Sequence, residues 1–388
     1  MQLGNQDLQR LINDGVAALQ QRRFADARDK LEQATGTGLA NAQLWLALAA
    51  ACRGQEDSSA EERALDRMLE LDPQSVAGLI MKADCRARAQ DDRNASSIYK
   101  KALRLASDQS VPPSLVPELQ RAEAMIAELE VRHAAHLEQA LAAQGLAPDA
   151  RSRRFQHSID IIAGRRHIYL QEPTAYYFPE LPQIQYYDPA EFDWVPKLEA
   201  ATDAIRAELV EAMAAQLDEF RPYIRSEANR PRYHPLLDKT DWSALFFCEN
   251  GKRSEELIAR CPRTWEAVQG APLPWVGGTS PTIMFSLLRR GTRIPAHTGM
   301  LNTRLICHLP LIVPPGCGFR VGNETRQWQE GKLLIFDDTI EHEAWNEGGE
   351  DRVVLIFDIW RPELNETERR EVAALCSIPD MHSGAAES

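Results

Sequence analysis

Residues 8 to 109 repeat themselves every 34 positions, and that self-similarity limits the fold more than any other feature of the chain. With windows opened at residues 8, 42 and 76, the fourth places hold Leu11, Trp45 and Leu79. The eighth hold Gly15, Ala49 and Ala83, and the twentieth hold Ala27, Glu61 and Ala95. The twenty-fourth hold Leu31, Leu65 and Tyr99, and the twenty-seventh hold Ala34, Met68 and Ala102. Small residues at the eighth and twentieth places let two antiparallel helices approach closely. Large ones at the fourth and twenty-fourth fill the groove between repeats. The middle window departs from this rule at Glu61. Proline in "LELDP", Leu69 to Pro73, ends a helix where the period requires it.

This pattern resembles the tetratricopeptide (TPR) repeat, of which three copies are about the minimum for a stable stack. The plainer alternative is any array of amphipathic helical hairpins. The stretch "SLVPELQRAEAMIAELEVRHAAHLEQALAAQGL" reads as a long capping helix with a polar outer face, so an all-α domain is expected over residues 1–144. Such a stack has no chemistry of its own. Its concave groove implies a protein or peptide partner.

At 388 residues the chain is too long for one ordinary domain. A net charge of −13 argues against nucleic acid as the main partner, because a phosphate backbone needs a basic surface. It equally disfavours docking on an anionic membrane by charge. The longest apolar run, Leu44 to Cys52, is far short of the roughly 20 residues a membrane helix needs, so no transmembrane segment is expected. The N-terminal sequence has no signal-peptide pattern, and the seven cysteines are scattered without a CxxC pair. A reduced, cytoplasmic location without structural zinc is the expectation.

Around "APDARSRRFQHS" the composition turns polar and basic, which puts the expected linker at residues 145–157 and a second domain at 158–388. Helical periodicity returns once, in "VPKLEAATDAIRAELVEAMAAQLDEF". The alternation then becomes two-residue. "TIMFSLLRR", "TRLICHLPLIV", "GFRVGN", "RQWQ", "KLLIFDD", "HEAWN" and "RVVLIFDIW" read as seven strands, separated by turns such as "RRGTR", "PPGCG" and "NEGGED". Short strands with no helices between them predict an antiparallel sandwich or small barrel, so the chain as a whole is α+β and multidomain.

Four residues of that barrel suggest chemistry. His297 stands at a strand edge and His342 follows 45 residues later at a strand start. Arg352 lies beyond the "NEGGED" hairpin, and Ser286 is on the strand before His297. Two imidazoles suit Fe(II), and a buried arginine with a serine hydroxyl suits a carboxylate. Taken singly, each has a duller explanation: a packed histidine, or an arginine in an ion pair. Gly299 stands two residues after His297, where a mononuclear iron site usually has an acid.

"SLLRRGTRIPAHTGMLNTRLICHLPLIVP", "NETRQWQEGKLLIFDDTIEHEAWN" and "DRVVLIFDIWRPEL" resemble the aspartyl/asparaginyl β-hydroxylase family, as do "YYFPELPQIQYYDPAEFDWV" and "FFCENGK" upstream. The resemblance covers roughly residues 155 to 370 and implies a double-stranded β-helix, a jelly-roll or cupin-like fold. It implies an Fe(II)- and 2-oxoglutarate-dependent oxygenase using O₂, with iron on His297 and His342 only and Gly299 matching the vacant carboxylate position. It further implies Arg352 and Ser286 on the far carboxylate of 2-oxoglutarate, His308 near the other carboxylate, and Arg304 towards an acidic substrate group. Ile306 departs from the animal pattern, which has a second cosubstrate-contacting arginine there; Arg293 is one candidate substitute. The substrate implied is the β-carbon of Asp or Asn in a polypeptide, with a free amino acid, a small peptide or a lipid acyl chain as alternatives. The acids around His342 read mainly as strand-fixing: Glu341 and Glu343 should face away from it, with Asp337 and Asp338 in the turn before it. Three rivals keep parts of this pattern: an iron halogenase with chloride at the Gly299 position, a scaffold whose barrel is no longer catalytic, and a cupin-like isomerase with another metal.

Overall fold

A computed structural model describes residues 5–38, 40–108, 112–215, 220–226, 234–276 and 280–378. The chain divides into two compact units, Met1–Arg166 and His167–Ser388.

The first unit is helical. Its helices are α1 (Asn5–Gln20), α2 (Phe24–Thr35), α3 (Ala42–Gly54), α4 (Ser58–Leu71), α5 (Val76–Arg88), α6 (Asp92–Asp108), α7 (Val116–Ala143) and α8 (Arg153–Ile162). The first six pair as three antiparallel hairpins, and α7 packs on the last. The 34-residue period is written into the backbone itself. Arg22, Glu56 and Gln90, at the three hairpin turns, have φ of 58°, 60° and 60°. This left-handed turn costs a non-glycine residue something at each turn, and the tight hairpin imposes it. Side chains of Asn41, Asp57 and Ser75 cap the helices that follow them. The small-residue positions are buried as the period requires, Ala27, Ala49, Ala83 and Ala95 completely. A Cβ on Gly15 would come 2.9 Å from Leu31, so this hairpin needs glycine there. Glu61, the departure from the pattern, is nonetheless 1% exposed, because Arg88 of the next hairpin donates to its carboxylate at 2.5 Å.

The segment expected as a linker, 145–157, is folded against α7. A 3-10 turn (Pro148–Ala150) precedes α8, and the buried Arg151 side chain donates to Glu138, Gln156 and the Leu146 carbonyl. The polar, basic composition there serves this packing, and the division between units falls later, at Arg166.

Among its described residues the second unit holds twelve strands, whose pairings are all antiparallel. They are β1 (Tyr186–Tyr187), β2 (Arg221–Pro222), β3 (Trp242–Glu249), β4 (Lys252–Arg253), β5 (Ile283–Leu288), β6 (Thr292–His297), β7 (Arg304–Ile312), β8 (Cys317–Val321), β9 (Glu324–Arg326), β10 (Leu334–Phe336), β11 (His342–Asn346) and β12 (Arg352–Trp360). The larger sheet runs β1-β10-β7-β12-β5-β3-β2, with β4 on β3, and the smaller runs β6-β11-β8-β9. Helices α9 (Val195–Ala200), α10 (Thr202–Ala215), α11 (Glu255–Arg260) and α12 (Pro262–Val268) follow the chain between strands, and α13 (Glu366–Cys376) closes it. Leu198, Ile205, Leu209 and Val268 back the larger sheet through a core shared with Phe247, Phe285, Leu309 and Phe357. A second core, including Trp242, Phe319, Trp328, Phe336 and Val354, lies where the two sheets face each other.

The seven expected strands are present, with "RQWQ" shifted: β9 ends at Arg326 and leaves Trp328 outside it. Strand β3 escapes an alternation test because seven of its eight residues are buried on one face or the other, as in any strand covered on both sides. Strand β6 is the edge of the smaller sheet, which is where Pro295 can be tolerated.

Candidate active site

The two sheets enclose a cavity of about 610 Å³ into which His297, His342, Arg352, Ser286, His308 and Arg304 all open. Strand pairing brings the two histidines together. His342 at the start of β11 lies opposite His297 at the end of β6, and the ring centroids are 4.1 Å apart. Each Nδ1 lies against a backbone carbonyl two residues earlier, Pro295 at 2.8 Å and Ile340 at 3.1 Å. A carbonyl only accepts, so each Nδ1 carries the proton and each Nε2 keeps its lone pair. Burial pushes both imidazoles below their usual pKa, so both are neutral. Two neutral rings 4.1 Å apart, each with an unprotonated Nε2, could hold a metal between them. Among the described residues no group of three or more His, Cys, Asp or Glu side chains could hold a metal ion.

Gly299 has no room for a side chain. A Cβ there would lie 2.0 Å from Oδ2 of Asp338, whose carboxyl fills the space. Burial, followed by the charge of Asp337, pushes the Asp338 carboxyl up to about 7. Of the neighbouring acids, Glu341 and Glu343 face outward onto Arg320, at 2.8 and 2.6 Å. Asp337 is fully buried and paired with Arg361 at 2.8 Å.

Deeper in the cavity stands an unusual cation. Arg352 is 1% exposed, and its Nε and Nη1 have no hydrogen-bond partner. The guanidinium rests 4.5 Å above the Trp328 indole, and burial pulls its pKa down to about 10. Nearby on β5, Ser286 accepts a bond from Trp242 Nε1 at 3.2 Å, which leaves its own hydroxyl proton free to donate. His308 on β7 packs among Phe319, Phe336 and Trp328 with its Nδ1 unpartnered. Burial and the Arg352 charge hold it well below its usual pKa.

Arg304 opens into the same cavity already paired, donating to Asp358 at 2.5 Å, while Asp358 also accepts from Thr282 N at 2.7 Å. Beside this pair the wall is apolar. Phe246, Met284, Ile356 and His308 form one cross-strand row, and Ile306 lies next to it. Arg293 does not substitute for the missing arginine at Ile306. Its side chain is half-exposed, bonded to Glu343 and Glu347, with its guanidinium over Trp345. Its neighbour Ile294 faces the cavity, so Arg293 points the other way, and an irregularity in the β6–β11 pairing between Ile294 and His297 returns His297 to the cavity side.

Trp328, Trp242 and His234 line or support the site without having been foreseen. Nothing local marks Trp328, since only the fold carries it beneath Arg352. His234 accepts from Leu236 N at Nδ1, so its Nε2–H is the donor it offers to the cavity.

The family pattern described as Aspartyl/Asparaginyl beta-hydroxylase matches residues 199–362. An ornithine lipid ester-linked acyl 2-hydroxylase from Rhizobium tropici is 37% identical over 229 residues, 58% of this chain and 76% of that protein. The human aspartyl/asparaginyl beta-hydroxylase is 38% identical over 146 residues, 37% of this chain but only 19% of the human protein's length. The first unit is similar to the crystal structure of PcrH in complex with the chaperone binding region of PopB, at a TM-score of 0.29 and 21% identity, covering 32% of this chain and 97% of that one.

Proposed function

Because the chain belongs to the aspartyl/asparaginyl β-hydroxylase family, a family of hydroxylases, we propose that its barrel is an Fe(II)- and 2-oxoglutarate-dependent dioxygenase that hydroxylates an unactivated C–H bond. The observation that carries this reading is Arg352. A fully buried guanidinium with two unbonded nitrogens is costly unless an anion arrives, and the cavity floor around it offers the donors a carboxylate needs. The residues fit both missing groups. His297 and His342 present two free Nε2 atoms to iron. Arg352 and the free Ser286 hydroxyl proton would take the far carboxylate of 2-oxoglutarate, and neutral His308 would lie towards its other carboxylate.

Iron held there, with 2-oxoglutarate as reductant, supplies the activation of O₂ that puts one oxygen atom into a C–H bond and leaves succinate and CO₂. The chain's own part is placement. The carbonyls of Pro295 and Ile340 hold the imidazole tautomers. Phe319, Phe336 and Trp328 exclude water around His308 and Arg352. The carboxyl of Asp338 occupies the space beside Gly299, and an anionic ligand such as chloride would meet it there. That supports hydroxylation over halogenation.

The substrate has two readings, which divide on Arg304. A peptidyl Asp or Asn side chain is supported by the unpartnered Arg304 Nε in the cavity. An aliphatic acyl chain is supported by the neutralisation of Arg304 by Asp358, by the row of Phe246, Met284 and Ile356 with Ile306 beside it, and by the Rhizobium relative. The hydrocarbon wall and the cancelled charge favour the acyl chain. We further propose that the helical unit docks a polypeptide on its stacked hairpins and that the protein works in a reducing, cytoplasmic compartment. Seven free, buried cysteines support the latter. No helix among the described residues is long and apolar enough to cross a membrane.

The test is anaerobic. Metal-free protein receives Fe(II), then 2-oxoglutarate, and the visible spectrum is recorded beside His297→Ala. A weak charge-transfer band that needs both additions and is lost in the variant is the expected result. Protein that retains no iron and gives no band would sink the proposal.

A further inference from the structure

With His297 and His342 as the metal's ligands, the described residues bring no third His, Cys, Asp or Glu to the centre to correct their spacing. We propose that Gln171 is a positioning residue for this centre, a side chain that fixes the separation of the loop that follows His297 and the loop that precedes His342. The inference rests on the metal-site reading above.

Gln171 lies in an extended segment at the start of the second unit and is 6% exposed. Its amide is divided between the two loops. Nε2 donates to Asp337 Oδ2 at 2.6 Å, and Oε1 accepts from Asn302 Nδ2 at 3.0 Å. Asn302 follows His297 by five residues, and Asp337 precedes His342 by five. One planar amide therefore spans matched points on the two histidine loops. Its remaining N–H goes to the Pro182 carbonyl at 3.1 Å.

The backbone that follows Gln171 repeats the division. Glu172 N donates to Thr339 O at 2.8 Å on the His342 side. Thr174 N donates to Gly299 O at 2.9 Å on the His297 side, and Ala175 N and Tyr176 N both donate to Met300 O at 3.0 Å. The loops also meet directly, Gly299 N to Asp338 O at 2.7 Å. Arg361 makes the same bridge with one nitrogen, since Nη1 donates to Asn302 O at 3.1 Å and to Asp337 Oδ2 at 2.8 Å. Removing Arg361 would strand the buried Asp337 charge and endanger folding. Gln171 is neutral, so it can be changed with less cost. Asp337 keeps Thr339 and Arg361, and Asn302 keeps the Phe178 backbone.

The probe is Co(II), added to metal-free full-length protein and followed by its visible bands. Gln171→Leu keeps the bulk and removes the bridge. The expected result is a folded protein with an unchanged near-ultraviolet circular dichroism spectrum, altered Co(II) bands, and Co(II) affinity weaker by about 10–100-fold. A folded Gln171→Leu protein with the wild-type affinity and bands overturns the proposal. Should that variant not fold, Gln171→Met, which also removes the bridge but keeps an unbranched chain of similar length, decides by the same two readings. Wild-type protein that binds Co(II) no better than His297→Ala would fail the metal-site reading itself, and the positioning role would fall with it.

Discussion

The two units of the chain treat buried charge alike except at one residue of the barrel. In the helical unit each buried charge meets a counter-charge. Asp84 accepts from Arg53, from Arg121 through two bonds and from the Tyr99 hydroxyl. Lys82 lies between Glu62 and Asp66 at 2.8 and 2.6 Å, and Glu61 takes Arg88. In the barrel Asp337 and Asp358 are likewise matched, by Arg361 and Arg304. Arg352 has no carboxylate partner among the described residues, although it is as deeply buried as any of them. A matched buried charge belongs to the fold, which has already met the cost of desolvating it. An unmatched one is met by a partner from outside. The difference separates scaffold from site without reference to any relative.

That contrast is open to direct attack, and the largest effect belongs to Arg352. Arg352→Ala is expected to weaken 2-oxoglutarate binding by about 2–5 kcal/mol in calorimetry on the iron-loaded protein, and unchanged affinity would move the anchor elsewhere. Arg352→Met tests the other half. With no ligand present, replacing an unmatched buried charge by hydrocarbon should raise the stability of the metal-free barrel, by about 1–4 kcal/mol in urea titration. The matched charge should respond with the opposite sign. Asp84→Ala is expected to destabilise the helical unit by about 1–3 kcal/mol, mainly by leaving the buried Tyr99 hydroxyl unpaired, because Arg53 and Arg121 can turn to water. A gain in stability there would erase the distinction.

The smallest effect is a pH slope. Burial holds the Asp338 carboxyl up at about 7, against an unfolded value near 4. Between those values the native protein keeps a proton that the unfolded chain has released. Its contribution to stability therefore falls as pH rises from about 4 to about 7 and is constant above. Urea midpoints of metal-free wild type and Asp338→Asn, compared across that range, should show a shallower fall in the variant. Parallel curves would mean that Asp338 titrates as an ordinary surface acid.

Much of this was legible in the chain, and the limits of legibility are physical. Local periodicity carried the hairpins, because small and large residues recur where adjacent helices touch, and the same 34-residue spacing reappears in the turns at Arg22, Glu56 and Gln90. Residue pattern also carried His297, His342, Ser286 and Arg352 into one cavity, and the family resemblance added His308. It failed where a side chain's meaning depends on what lies across from it. Strand β3 hid because both its faces are covered. Arg293 was a candidate by charge, yet the irregular register of β6 on β11 leaves it pointing outward onto Glu343 and Glu347 while His297 turns inward. Arg304, which the resemblance directs towards an acidic substrate group, is already half of an ion pair in space.

The sequence by itself determined the repeat, the change to strands, the family and the residue types of the site, all of which depend on spacing along one chain. Only the tertiary structure decided which charges are matched, which carboxyl fills the space at Gly299, and that Gln171 reaches Asp337 across 166 positions. Such pairings are set by strand register and loop closure, which are properties of the whole fold and leave no local mark on the residues that meet.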